Sequence, residues 1–417
     1  MATAQPGGTL AAAPVSFAAL RHPGFRMYFL GTATAMLADN IEHVISYWAI
    51  FQKFHSPYLG GVAVISHWAP FLALSIYSGG LADRFDPRRI IQLGMLLFMS
   101  VSVAWGVLFL TGWLREWHAW LLLTVHGVAG VLWMPAGQLL LHEIVGPDEL
   151  PSAVRLGATA RYLGMLTGPA VGGGLLLALG PARGILVNAL IYLPMVLWLW
   201  KAPYGPKFRI GGAPRAREVR GFGDLFAALR SIRDNPTVLS MIFLAALAAL
   251  FIGNAYQAQM PGFAVDLGHG NPGLAYSMLL AADAAGALVA GFVLESRGLL
   301  HPSPRTALLL GMMWCTSLGI FALVNAYAVA CALLFAAGFL ELSFNSMAQA
   351  LVQLNAPAAV RGRVIGAYSM ASSGMRMFSG VTVGLVGGLI GIHASLALSA
   401  AALFVAIATL FSLTSRQ

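Results

Sequence analysis

The chain reads as long apolar runs separated by short polar breaks, and twelve such runs can be drawn along its 417 residues. An α-helix needs roughly 20 apolar residues to cross a bilayer. Turn signals between the runs place predicted spans at 25–51, 58–79, 89–111, 118–141, 152–178, 183–201, 237–259, 273–294, 305–326, 328–351, 364–389 and 393–414. Barrel strands would alternate polar and apolar residues, whereas Val101–Thr111 and Ala394–Thr414 are apolar throughout or nearly so. Lipid offers no partners for backbone N–H and C=O groups, so helices are the remaining way across. The pattern predicts an all-α polytopic membrane protein, with twelve transmembrane helices in two pseudo-symmetric six-helix bundles around a central cavity. The expected segments are an N-terminal tail at 1–23, a bundle at 24–201, a central loop at 202–236 and a second bundle at 237–417.

Composition supports this reading. Only 9% of residues are charged and 59% are hydrophobic, against about 25% charged in soluble domains. The net charge of +9 could suggest nucleic acid. The basic residues lie instead in short loops and one central segment, so no nucleic-acid partner is expected. With both termini placed inside, cytoplasmic segments hold nineteen of the 24 basic residues, and the outer loops hold Lys53, Arg115 and Arg183. That bias predicts cytoplasmic termini in a bacterial-type inner membrane. In the central loop Phe222, Leu225, Phe226, Leu229 and Ile232 recur at helical spacing beside Arg230 and Arg233. This is the pattern of an interfacial helix on the inner leaflet. No cleavable signal peptide is read at the N-terminus. Cys315 and Cys331 both fall in predicted spans and imply neither a disulfide framework nor a metal site.

The two halves echo one another. Gly79 and Asp83 end the second predicted span, and Gly291 and Glu295 end the eighth at a constant offset of 212. Gly168 and Gly380 share that offset, and Arg161 and Arg376 each precede a glycine pair (Gly172-Gly173, Gly387-Gly388) by eleven residues. Such internal symmetry is expected of transporters built from repeats.

Gly79-Gly80-Leu81-Ala82-Asp83-Arg84-Phe85-Asp86-Pro87-Arg88-Arg89 joins the second and third spans. It resembles the signature loop of the major facilitator superfamily, which often carries Arg where Pro87 stands. Glycine lets helices approach, and Asp83 suits the positive end of a neighbouring helix. The resemblance implies a conformational latch made by Gly79, Asp83, Arg84 and Arg88. Gly164, Gly168, Pro169, Gly172 and Gly173 in the fifth span are similar to the antiporter motif of drug:proton exchangers. Small residues four apart make a smooth packing face, Pro169 is expected to kink the helix, and in that family the element favours exchange over leak. Leu20–Arg26 and Gln353–Val364 resemble the branch containing the enterobactin exporter and the macrolide efflux proteins.

Ionisable residues inside spans are functional candidates because burying charge is costly. Asp39, Glu42, Asp283, Glu341, Arg161 and Arg376 qualify. At 1.5 Å per residue, Asp39, Glu341 and Arg376 sit roughly 20 Å inside their spans. Asp39, Glu42 and His43 share one helix face. These six are the proton-coupling candidates, with a salt bridge of Asp39 or Glu341 to Arg376 as the structural alternative. His43, His67, Trp68, His126 and Trp133 are substrate-cavity candidates, and Trp48 and Trp314 are further rings that could stack on a substrate. No Walker loop, nucleophile elbow or metal-ligand spacing is present, so neither enzyme activity nor a cofactor nor a metal is expected. The reading is a monomeric, proton-coupled secondary transporter that exports a small amphiphilic molecule, drug-like or siderophore-like. A nutrient or metabolite symporter, a lipid or lysolipid flippase, and a non-transporting receptor or assembly factor are the alternatives.

Overall fold

The computed structural model describes residues 17–54, 57–208, 230, 232–267, 272–297 and 302–415. Among these every regular element is helical. Helices α1 (Pro23–Phe54), α2 (Pro57–Arg84) and α3 (Pro87–Thr111) follow the first three predicted spans, and Asp86 caps α3 by accepting the N–H of Arg88. The next three spans lie within α4 (Glu116–Ile191) and its continuation α5 (Leu193–Lys201). The backbone leaves helical geometry at Gly146 (φ 72°) and Gly180 (φ 72°), where the chain turns back between spans. Both φ values are in the left-handed region that glycine alone enters without strain. Helical backbone continues through position 169, so these turns, and not the proline, are where α4 breaks.

The seventh span is two pieces, α6 (Pro236–Phe251) and α7 (Ala255–Asp266), interrupted at Ile252–Asn254. Helices α8 (Pro272–Arg297), α9 (Pro304–Leu323) and α10 (Tyr327–Asn355) follow. The eleventh span begins as α11 (Arg361–Ser369) and passes through two π-helical turns, Met370–Gly374 and Gly380–Leu385, on either side of Arg376. A last helix, α12 (Ile392–Ser415), ends the described chain. Nine helices among the described residues are long and apolar enough to cross a membrane. The central-loop residues Phe222, Leu225, Phe226 and Leu229 lie outside the described residues, as do the side chains of Trp48 and Pro169.

The largest buried apolar cluster draws only on residues between Ile232 and Phe411. A second draws on Phe17–Tyr204 with three residues from the other half, Ala350, Leu354 and Ile365. Large apolar side chains such as Leu177 (90% exposed) and Leu389 (84% exposed) face outward, as a lipid-facing surface requires.

The halves meet along glycine seams. A Cβ at Gly79 would strike the carbonyl oxygen of Gly362, and one at Gly366 would strike that of Ser75. A Cβ on Gly374 would lie 2.6 Å from Cα of Leu72. The seam therefore runs between α2 and the eleventh span along three glycines of the latter. Only the absence of side chains permits this approach. A valine at Gly366 is expected to cost about 1–3 kcal/mol in the seam-closed conformation through overpacking. Spin labels flanking the seam on α2 and α11 should report a longer mean distance in Gly366→Val than in the wild type. An unchanged distance distribution would show that the seam is not tightly closed.

Candidate functional site

The break in the seventh span and the π turns of the eleventh support each other. Carbonyl groups freed at the break need donors. The Thr382 hydroxyl approaches the carbonyls of Leu250 (2.9 Å) and Phe251 (3.0 Å). Gly253 (φ 50°) packs against the Ser379 side chain. π turns inside helices frequently mark functional positions, and the Arg376 side chain emerges between these two. Its Nε donates to the Ser372 carbonyl (3.1 Å), and its guanidinium lies 5.4 Å from the centre of the Trp68 ring. Among the described residues no ion pair joins Arg376 to Asp39 or Glu341.

A cavity of about 450 Å³ lies between the halves. Asp39, His43, His67, Trp68, Trp133 and Arg161 line it from the first half, and Glu341 and Arg376 from the second. Glu42, His126 and Asp283 are buried behind the wall. Trp314 packs on Phe344, away from the cavity.

The first-half candidates form one network. His126 Nε2 is 2.8 Å from Asp39 Oδ1, and its Nδ1 is 2.8 Å from Glu42 Oε1. The second Glu42 oxygen accepts from the Ser102 hydroxyl, which in turn accepts from Asn188 Nδ2 (3.4 Å). With a carboxylate at each nitrogen, the ring donates from both, or one proton has passed to a carboxyl group. His43 Nδ1 donates to the Asp39 carbonyl (2.8 Å), and His43 Nε2 lies 3.4 Å from His67 Nδ1. Ser102 and Asn188 carried no signal in the sequence beyond being polar residues in apolar runs.

The second-half pair is built around a phenol. Tyr256 Oη lies 3.2 Å from Asp283 Oδ2 and 3.3 Å from Glu341 Oε2, and Gln257 Nε2 donates to the same Asp283 oxygen (3.1 Å). One hydroxyl has one proton to give. The phenol proton therefore serves one acid at a time, and when it goes to Glu341 the Gln257 amide remains as the donor to Asp283. Tyr256 and Gln257 follow directly on the helix break, which is how the backbone aims them inward.

At one end of the cavity the halves are held by two crossed contacts. The Asp83 carboxylate accepts the N–H of Gly362 (2.7 Å) and of Arg363 (3.1 Å) at the start of α11. Its repeat counterpart Glu295, on α8, accepts from Arg155 Nε (2.9 Å) and from the Ser152 hydroxyl, both just past the Gly146 turn. Among the described residues no hydrogen bond or ion pair carries Arg84 or Arg88 across the seam. Arg84 stacks on Phe85 (5.3 Å), and Arg88 bonds to Asp86 and to the carbonyl of Ala202.

Gly164, Gly168 and Gly172 face α1. Cβ atoms there would meet Met36, Asn40 and Ile41 with Val44 respectively, whereas Gly173 and Gly380 face open space. The small-residue face thus packs on the helix that carries Asp39, Glu42 and His43. The Gly168/Gly380 correspondence does not extend to packing.

The fold and the cavity between its halves define a multi-span membrane transporter of the major facilitator type. The chain belongs to the transmembrane secretion effector family, whose model matches residues 14–417. It is 25% identical over 357 residues to the enterobactin exporter EntS of Citrobacter koseri, covering 84% of this chain and 81% of that protein. It is 26% identical over 335 residues to the uncharacterized MFS-type transporter YfiS of Bacillus subtilis, covering 78% and 77%. Among solved structures it resembles the human organic anion transporter MFSD10 (TM-score 0.71, 15% identity, 93% of this chain and 99% of that one).

Replacing His126 by Leu leaves Asp39 and Glu42 without their shared partner. Removing one side of a buried charge pair costs about 3–5 kcal/mol. The melting temperature of purified His126→Leu should fall clearly, and adding Asp39→Asn with Glu42→Gln should restore part of the loss. A melting temperature equal to wild type would mean that the ring does not hold these acids.

Proposed function

We propose that this protein is a proton-coupled exporter of a small amphiphilic organic molecule, drug-like or siderophore-like, working by alternating access between two six-helix bundles at 24–201 and 237–417. The observation that carries the reading is the cavity of about 450 Å³ walled by both halves, into which Asp39 and Glu341 face. Secondary transporters place substrate and coupling ion at such a shared site near the midplane. The relationship to an enterobactin exporter supports outward transport of an organic molecule.

In this reading a proton entering the cavity is held at Asp39, through His126, or at the Asp283–Tyr256–Glu341 cluster. Both clusters contain more acid oxygens than fixed donors, so each can change its proton content without leaving a bare buried charge. Arg161 and Arg376 supply the positive field that favours release. Trp68 and Trp133 offer flat apolar surface to the substrate. The Asp83 and Glu295 contacts latch one end, and their breaking opens it. Gly164, Gly168 and Gly172 keep α1 against the fifth span so that no leak forms there. The protein sits in a bacterial-type inner membrane as a monomer with both termini cytoplasmic. The latched end is then the cytoplasmic one.

Two measurements test this. In proteoliposomes with a preset proton gradient, Asp39→Asn and Glu341→Gln should each lose proton-driven flux while keeping substrate binding. A screen for ligands that raise the melting temperature supplies the substrate. Full proton-driven flux in both variants, with unchanged pH dependence, would remove these carboxyls from the coupling path. Wild-type flux indifferent to the gradient would remove the coupling itself. Gly168→Val, with a Cβ aimed at the Asn40 side chain, should abolish exchange. Normal flux in that variant would discard the close-packing role. For orientation, a cysteine at Ser415 should resist impermeant reagent added outside intact cells, and ready labelling would reverse the topology.

A further inference from the structure

Three histidines from three helices, His43 on α1, His67 on α2 and His126 on α4, bring one ring nitrogen each to within 4.8 Å of the others. They are separated by 24 and 59 residues in the chain, so no spacing motif announces them. We propose that this cluster, completed by the Asp39 carboxylate, binds a late first-row divalent transition-metal ion of the zinc and cobalt class in the wall of the cavity.

The geometry carries the assignment. His43 donates from Nδ1 to the Asp39 carbonyl at 2.8 Å, which fixes the lone pair on Nε2. That lone pair faces His67 Nδ1 at 3.4 Å. Two nitrogens bound about 2.0–2.1 Å from a tetrahedral zinc are about 3.3–3.4 Å apart. The His43–His67 separation is thus already an edge of such a tetrahedron. His126 is oriented from behind, because Glu42 Oε1 holds its Nδ1 at 2.8 Å and Ser102 holds the other Glu42 oxygen. A carboxylate on the far nitrogen of a ligating histidine is the usual supporting arrangement of a metal site. His126 Nε2 points at Asp39 Oδ1, 2.8 Å away. An ion entering there takes both atoms as ligands in place of their hydrogen bond, and the Nε2 proton leaves. Three imidazoles with one carboxylate suit zinc, cobalt, nickel and iron, whereas magnesium and calcium prefer oxygen.

The site is also placed for exchange. Asp39, His43 and His67 line the cavity while His126 and Glu42 are covered, so an ion reaches the ligands from the cavity. With Asp39 and Glu42 ionised and three neutral imidazoles, a bound divalent ion leaves the cluster without net charge. That is the state that burial in a membrane favours. Of the cavity arginines, Arg376 lies 5.4 Å from the Trp68 ring, which itself packs edge-on against His67.

The site does not depend on the direction of transport or on the organic cargo. Its test uses the full chain in detergent, purified through a histidine-free tag, with cobalt(II) as the probe. The wild type should bind one ion per chain and show the intense visible bands of tetrahedral cobalt, which added zinc removes. His67→Gln and His43→Gln should each weaken cobalt binding by about tenfold or more. His118→Gln, outside the cluster, should leave it unchanged. Should the cluster variants fail to fold, the wild type alone decides: zinc, and not magnesium, should raise its melting temperature. Absence of both cobalt bands and a zinc shift in the wild type would overturn the proposal, as would cobalt binding unaltered in a folded His43→Gln/His67→Gln double variant.

Discussion

The buried imidazole of His126 stands between Asp39 and Glu42, 2.8 Å from each, against the Phe98 ring and beside His43 and His67. An isolated charge in such a place is prohibitive, so each acid has to be paired, hydrogen-bonded or protonated. This requirement fixes much of the first half. It holds α1 to α4 at one height, draws in Ser102 of α3 behind Glu42, and leaves His43 and His67 at the cavity edge. The second half meets the same requirement differently. There Asp283 and Glu341 share the Tyr256 hydroxyl, with no histidine between them. One half therefore meets the cavity through a base set between two acids and the other through two acids around a neutral donor, so the two halves answer a proton, or a cation, unequally.

Close backbone approach is the second constraint, and it serves these polar groups. Between lipid-facing helices there is little hydrophobic force to drive association, so contact relies on packing and hydrogen bonds. Gly164, Gly168 and Gly172 bring the fifth span against the face of α1 next to Asp39. Gly79, Gly362 and Gly366 do the same between α2 and α11, where the approach lets Asp83 reach two backbone N–H groups. An alanine would serve helix propensity better at each site. Glycine fits because the partner helix already takes the space of a Cβ, with backbone carbonyls at Gly79, Gly362 and Gly366 and the Met36 and Asn40 side chains at Gly164 and Gly168.

Much of the fold was legible because bilayer thickness imposes one length on every span. Most described residues of the predicted spans are helical, apart from the break at Ile252–Asn254 and the stretch 324–326, and the Asp83 carboxylate accepts two N–H groups at a neighbouring helix start. Three features escaped. The break at Ile252–Asn254 and the π turns around Arg376 depend on Thr382 and Ser379 meeting freed carbonyls and Gly253 across the structure. A hydropathy run carries no trace of that. The assignment of Arg84 and Arg88 to the latch followed the loop motif, but Pro87 starts α3 and Asp86 captures Arg88 on its own side. The histidine cluster escaped because the sequence shows His43, His67 and His126 only as separate cavity candidates. Their convergence is a property of helix order, not of spacing. In the same way, pairing Arg376 with an acid was reasonable from depth alone, yet the guanidinium finds Trp68 and a carbonyl first.

The two crossed contacts at the closed end explain how so local a closure reaches the cavity. Asp83 binds the first residues of α11, and Glu295 binds Ser152 and Arg155 near the start of the fifth span. Each contact thus falls on the helix whose arginine lines the cavity, Arg376 in one case and Arg161 in the other. Arg155 and Arg161 are joined by unbroken helix over about 9 Å at 1.5 Å per residue, so displacement at the Glu295 contact is passed on rigidly. Between Arg363 and Arg376 the helix instead runs through the π turn at Met370–Gly374, where one extra residue per turn can be absorbed or released. Movement at the Asp83 contact can therefore end as a change of helical register, which rotates Arg376 relative to Trp68 and Glu341. Under the proposed alternating access, such a shift of register would be the two-state element that coupling between distant sites requires. It also gives a physical reason for the arginine between two π turns to lie in the half of Asp283 and Glu341, which share a phenol and not a histidine: there the field on the carboxyls is set by where the guanidinium points.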